Sequence, residues 1–129
     1  MSQSSRSTEP SAAAFDRAAL DAIRALDEGG AAGLLQQVVQ LYLESAPRLI
    51  AELRRAGADG DATAVRNAAH SLKSSSANVG AVRLAEMCKA IEHAARAGVL
   101  RGDLPSVEDI EREFEALRPA LEREAGRAA

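Results

Sequence analysis

The sequence predicts an all-α protein, an antiparallel four-helix bundle with a short additional N-terminal helix. Alanine, leucine and arginine dominate the 129 residues while β-branched residues are sparse, which favours helix and disfavours a sandwich or barrel. Apolar residues recur at three-four spacing along most of the chain. Glycine-bearing turns then divide that pattern into five segments joined by short connections. A chain of this length, 47% hydrophobic, can bury one compact core.

The first segment, 16–27, carries Ala19, Ile23 and Leu26 at helical spacing, and Gly29-Gly30 is expected to end it. The second places Leu35, Val38, Tyr42, Ser45, Leu49 and Leu53 on one stripe up to Gly57. Pro47 lies inside it and predicts a kink or brief break, because proline removes a backbone donor and crowds the preceding turn. Asp61 is the expected N-cap of a third helix with Val65, Ala69, Leu72, Ser76 and Val79 inward, closed by Gly80. The fourth, 81–97, turns Leu84, Cys88, Ile91 and Ala95 inward and stops at Gly98. The last is expected to begin near Leu104 with Pro105 in its first turn, and carries Val107, Ile110, Phe114, Leu117 and Leu121. Residues 15–125 therefore read as one domain, flanked by a disordered tail or linker at 1–14 and a short tail at 126–129.

Composition excludes several functions. A net charge of −3 without a polybasic stretch offers no footprint for nucleic acid or acidic lipid, so the expected partner is protein. The polar start has no apolar export region and no run is long enough to span a bilayer. The single Cys88 cannot form an internal disulfide, which fits a reducing cytoplasm, and its place in an apolar stripe predicts a buried, inert thiol. No spaced His and Cys set suggests a metal, no paired Glu-x-x-His motif suggests a di-iron bundle, and no Gly-rich phosphate loop suggests ATP binding. No metal or other cofactor is expected.

Chemistry concentrates in the third helix. With Val65, Ala69 and Leu72 facing inward, His70 lies roughly 140° from Val65 and faces solvent, flanked by Arg66, Lys73, Ser74 and Ala77. An ordinary histidine is mostly neutral at pH 7, so one ring nitrogen is available to attack phosphorus. Lys73, one turn along, offers a compact positive charge for a phosphoryl group. The 24 residues between Asp61 and Glu86 contain no acid, although Asp and Glu number 19 in the chain, and a carboxylate there would repel phosphate. On spacing alone, a histidine beside a lysine on a polar face reads first as solvated surface.

The residues His70-Ser-Leu-Lys73-Ser-Ser-Ser-Ala-Asn-Val-Gly80-Ala81 closely resemble the signature of histidine phosphotransfer (HPt) domains of bacterial multistep phosphorelays. The likeness extends from Phe15 to Leu121, including Leu41-Tyr-Leu-Glu-Ser-Ala-Pro47 and Leu84-Ala-Glu-Met-Cys88. It implies a monomeric bundle whose His70 accepts a phosphoryl group from the aspartyl phosphate of one receiver domain and passes it to another. It also implies that Lys73 contacts that group, while the Mg²⁺ and acidic pocket belong to the receiver. Ser74 departs from the family, where glycine is common at that position; serine is nearly as small, so docking survives. Receiver docking is expected at a rim of Arg66, Ser74 and Ala77, with Lys89 and Arg96 as further candidates whose side of the bundle depends on helix packing. Lys89 is about as far from the turn at Gly80 as His70 is, which places the two at one level. His93 reads as ordinary surface. Two other classes compete: an adaptor bundle that binds a receiver or kinase without being phosphorylated, and a kinase dimerisation domain, against which Ser71 and the five helices argue.

Overall fold

The computed structural model describes residues 16–27 and 33–126, and all five of its helices fall where the apolar periodicity puts them. They are α1 (Arg17–Leu26), α2 (Leu34–Asp59), α3 (Ala62–Asn78), α4 (Val82–Arg96) and α5 (Val107–Gly126). No strand occurs among the described residues. The expected tail at 1–14, the Gly29-Gly30 stop and the final residues 127–129 lie outside the described residues. Gly126, expected in the C-terminal tail, is the last residue of α5.

Helices α2 to α5 form a ring in which α2 packs on α3 and α5, and α4 on the same two. Short polar caps set the turns. The Asp61 side chain accepts from the Ala64 N–H at 3.1 Å and starts α3 directly after Gly60, whose φ of +67° needs no Cβ. Between α3 and α4, Gly80 adopts φ +79° and receives α1: its carbonyl accepts the Asp16 N–H at 2.7 Å. Two buried or half-buried ion pairs then fasten α1 to the end of α5, from Arg24 and Arg17 to Glu124 at 2.8 and 3.2 Å. The first helix therefore closes one end of the ring.

Of the kink or brief break expected at Pro47, the break does not occur: α2 runs unbroken for 26 residues, and Tyr42 and Ala46 before Pro47 and Ile50 and Leu53 after it are buried in the same core, as the apolar stripe through it implies, so that burial outweighs one lost backbone bond. Three other local expectations are corrected. The buried line of α2 also runs through Val39, Ala46, Ile50 and Ala56, with Val38, Ser45 and Leu49 only half-buried, because α3 and α5 together cover a wide face. In α1 the buried residue is Leu20 and Leu26 is exposed, since the helix crosses an end of the bundle and is covered on a narrow face. Finally, α5 begins at Val107 because Ser106 and Asp109 exchange side-chain-to-backbone hydrogen bonds of 3.0 Å each, a reciprocal cap that overrides a start at Leu104-Pro105.

The expected inward residues of α3, α4 and α5 are buried, except Val107, which is half-buried. In the core the Tyr42 hydroxyl pairs with the Ser76 hydroxyl at 2.8 Å, and the Tyr42 ring meets Phe114 edge-on at 5.8 Å between centroids. This packing holds α3 against α2 and fixes which face of α3 meets solvent.

Candidate functional site

Ala69 and Leu72 are wholly buried, so the backbone of α3 is pinned on either side of His70 and the imidazole is directed outward, its side chain 59% exposed. From α4 the carboxylate of Glu92 meets it: Glu92 Oε2 lies 2.9 Å from His70 Nδ1. The other oxygen, Oε1, lies 2.7 Å from Lys73 Nζ, and Arg96 Nη2 lies 3.0 Å from Oε2. Glu92 itself is buried, with a side chain only 5% exposed. The Lys73 ammonium and then the His70 contact hold this carboxyl below the usual carboxylate range, against the opposing effect of burial.

An ionised carboxylate only accepts hydrogen bonds. In the neutral ring the nitrogen facing Glu92 must therefore carry the proton, which assigns the Nδ1–H tautomer and leaves the Nε2 lone pair free. The arrangement thus presents one exposed ring nitrogen with a free lone pair. Lys73 faces Glu92 as an ion pair, and its ammonium N–H groups can also meet an incoming anion.

Most of the sequence-predicted site residues converge here. Ser74 and Ala77 are exposed and Arg66 is half-buried along the face of α3 that presents His70. Arg96 is on the His70 side, bound to Glu92, which settles its position in the helix packing. Lys89 lies on that side too, lining an open hollow of about 480 Å³ with Lys73, Glu92, His93 and Arg96. His93 is exposed as expected, although it borders the same hollow.

The expectation of an acid-free surround is corrected. No acid comes from α3, yet Glu92 is in hydrogen-bond contact with His70, and two cations balance its charge on the Nδ1 side of the ring. By distance from the turn at Gly80, Lys89 stands level with His70. The residue that makes the contact is one turn further on, because helical side chains lean toward their N-termini and His70 reaches back along α3. One signal was present in sequence: Glu92 and Arg96 stand four apart, the spacing of an intrahelical pair.

The rest of the surface is chemically quieter. Cys88 is buried and burial pushes its thiol up to about 12, as fits an inert core residue. A hollow of about 610 Å³ lies between α2 and α5, across the ring from His70; Pro47, Ile50, Arg54, Phe114 and Arg118 are among the residues that line it. Among the described residues no group of three or more His, Cys, Asp or Glu is placed to hold a metal ion. No helix among them is long and apolar enough to cross a membrane.

Residues 37–120 match the Hpt domain family. Histidine-containing phosphotransfer protein 2 of Arabidopsis thaliana is 26% identical over 103 residues, which cover 78% of this chain and 66% of that protein. The chain thus spans just under two thirds of that relative's length. Among solved structures, histidine-containing phosphotransfer protein B (HptB) from Pseudomonas aeruginosa PAO1 superposes with a TM-score of 0.77 at 32% identity, covering 88% of this chain and 96% of that one.

Proposed function

Because this chain belongs to the Hpt domain family, we propose that it is a phosphorelay intermediate in which His70 takes a phosphoryl group from the aspartyl phosphate of one receiver domain and passes it to a second. The observation that carries this reading is the contact between buried Glu92 and His70 Nδ1, which leaves Nε2 as an exposed nucleophile.

In the forward step the Nε2 lone pair attacks phosphorus. The bond from phosphorus to the receiver carboxylate oxygen breaks, its electron pair returns to that carboxylate, and a P–N bond forms. The ring, which keeps its Nδ1 proton, becomes positive. Glu92 lies against that proton, so the charge develops beside a fixed carboxylate that need not reorganise. Lys73 offers its remaining N–H groups to the phosphoryl oxygens. Transfer onward reverses each step. The receiver supplies Mg²⁺ and its own acidic residues, and this chain needs no ATP site. On this reading it works as a monomer in the cytoplasm, contacts protein rather than nucleic acid, and docks receivers through Arg66, Ser74 and Ala77 with Lys89 and Arg96 on the flank.

Incubation with a phosphorylated receiver tests the reading. Acid-labile, alkali-stable phosphate on the wild type and none on His70→Gln is the expected result. If the two proteins behave alike while both bind the receiver, the chain is an adaptor and phosphotransfer is refuted.

A further inference from the structure

Lys73 and Arg66 stand three and four residues from His70 on α3, and Arg96 reaches its partner Glu92 from α4; two of these three basic side chains are already engaged. Lys73 and Arg96 both hold Glu92, at 2.7 and 3.0 Å. Arg66 is half-buried, and among the described residues it makes no ion pair or hydrogen bond. The other half-buried arginines, Arg24 and Arg118, are paired with Glu124 and Glu115. Arg66 alone among these three keeps an uncommitted guanidinium.

The cause lies in the acid-free stretch. Three and four residues to either side of Arg66 stand Thr63, Ala62, Ala69 and His70, so α3 offers it no carboxylate within a turn. Asp61, one residue beyond, faces the Ala64 N–H as the helix cap. Glu92 is already met by His70, Lys73 and Arg96. A guanidinium that loses part of its hydration without a counter-ion favours whatever anion reaches it.

The direction of His70 brings such an anion within reach. A helical side chain leans over the turn before its own, so the imidazole covers the turn that carries Arg66. With Nδ1 tied to α4, the opposite ring nitrogen bears the phosphoryl group. We propose that Arg66 binds the phosphoryl group on His70 Nε2, its planar fork holding two oxygens from the N-terminal side while Lys73 approaches from the C-terminal side. This rests on His70 accepting phosphate, and it adds a phosphoryl-binding residue to that reading. No bond is made or broken by Arg66.

A contact present only in the phosphorylated state shifts the equilibrium between the receiver and His70, whereas a residue used only for docking changes rates and leaves that equilibrium alone. The experiment measures the equilibrium constant for exchange with a phosphorylated receiver, and the ³¹P NMR shift of the isolated phosphohistidine, in wild type, Arg66→Gln and Arg66→Lys. Arg66→Gln should lower the constant about tenfold, the loss of one charge-assisted contact, and should move the ³¹P resonance. Arg66→Lys should lie between the two, and circular dichroism should show all three folded. An equilibrium constant and ³¹P shift like those of wild type in both variants overturn the proposal, even if Arg66→Gln is slower. Absence of phosphate on wild-type His70 overturns the underlying reading, and it is seen before either variant is tested.

Discussion

Replacing Glu92 separates its charge from its position. In Glu92→Gln the amide oxygen can still accept from His70 Nδ1–H, so the tautomer is retained, but the hydrogen bond loses its ionic partner. A bond to a charged group contributes about 1.5–3 kcal/mol and a neutral one about 1 kcal/mol, so transfer should slow by about tenfold. Glu92→Ala removes the acceptor as well, which frees the ring proton to occupy Nε2 and take away the nucleophilic lone pair; a fall of about a hundredfold or more is expected. Stability should respond less. Removing one member of a buried ion pair costs about 3–5 kcal/mol when the survivor stays buried. Here the survivors, Lys73 and Arg96, are 31% and 60% exposed and can turn to water, so a loss of about 1 kcal/mol is expected. Rapid-quench transfer from a phosphorylated receiver, urea unfolding and ¹⁵N spectra of the imidazole together measure these effects. Transfer by Glu92→Ala at the wild-type rate, or an unchanged Nδ1–H tautomer in its ¹⁵N spectrum, would refute the reasoning.

Three other substitutions probe separate parts of the structure. Lys73→Ala should slow transfer by about tenfold with the fold intact, since Arg96 still neutralises Glu92; unchanged kinetics would remove Lys73 from the mechanism. Gly80→Ala combines a left-handed φ of +79° with a Cβ only 2.2 Å from the Asp16 carbonyl oxygen, so α1 must shift; a loss of about 2 kcal/mol or more in urea unfolding is expected. Glu113 is buried with one carboxyl oxygen unpartnered, and burial raises its pKa against the opposing influence of Arg83. The native state therefore holds this proton more tightly than the unfolded chain, and the linked stability falls as pH rises from near 4.5 through the raised folded value. Glu113→Gln should flatten that fall and stabilise the protein by about 1 kcal/mol at neutral pH, as read from urea unfolding at a series of pH values; an unchanged profile would count against it.

Helix α3 is the most readable part of the chain, because every residue its periodicity turns inward is buried, Ala68 alone being added to them, and His70, Arg66, Ser74 and Ala77 are thereby turned outward. Helix α2 was less readable. Its apolar residues occupy more than one stripe, and choosing among Val38, Val39, Leu49 and Ile50 depends on having neighbours on both sides. Pro47 reads as a kink or brief break because local chemistry penalises it, while the apolar stripe that continues past it points to the core that keeps α2 whole. At α5, the reciprocal pair Ser106 and Asp109 was present in the sequence, but Pro105 was the stronger-looking start signal.

What the sequence by itself determined is the class of protein and the candidate phosphoacceptor: a helical bundle, a histidine on its outer face, a lysine one turn on, and the motif that links them to the phosphotransfer family. These follow from interactions within one helix, where a spacing of three or four fixes who faces whom. The tertiary structure alone decided that Glu92 reaches His70, that Arg96 and Lys73 share it, and that Lys89 lies on the same side. The contacts of Glu92 with His70 and Lys73 join α3 to α4, and a one-turn difference in how two helices pair moves a side chain by about 5 Å along the axis, enough to exchange a lysine for a carboxylate. The acid-free stretch around His70 is real in sequence. Only the packing of α4 against it reveals that the acid comes from the neighbouring helix, fixes the tautomer, and leaves Arg66 with its charge uncommitted.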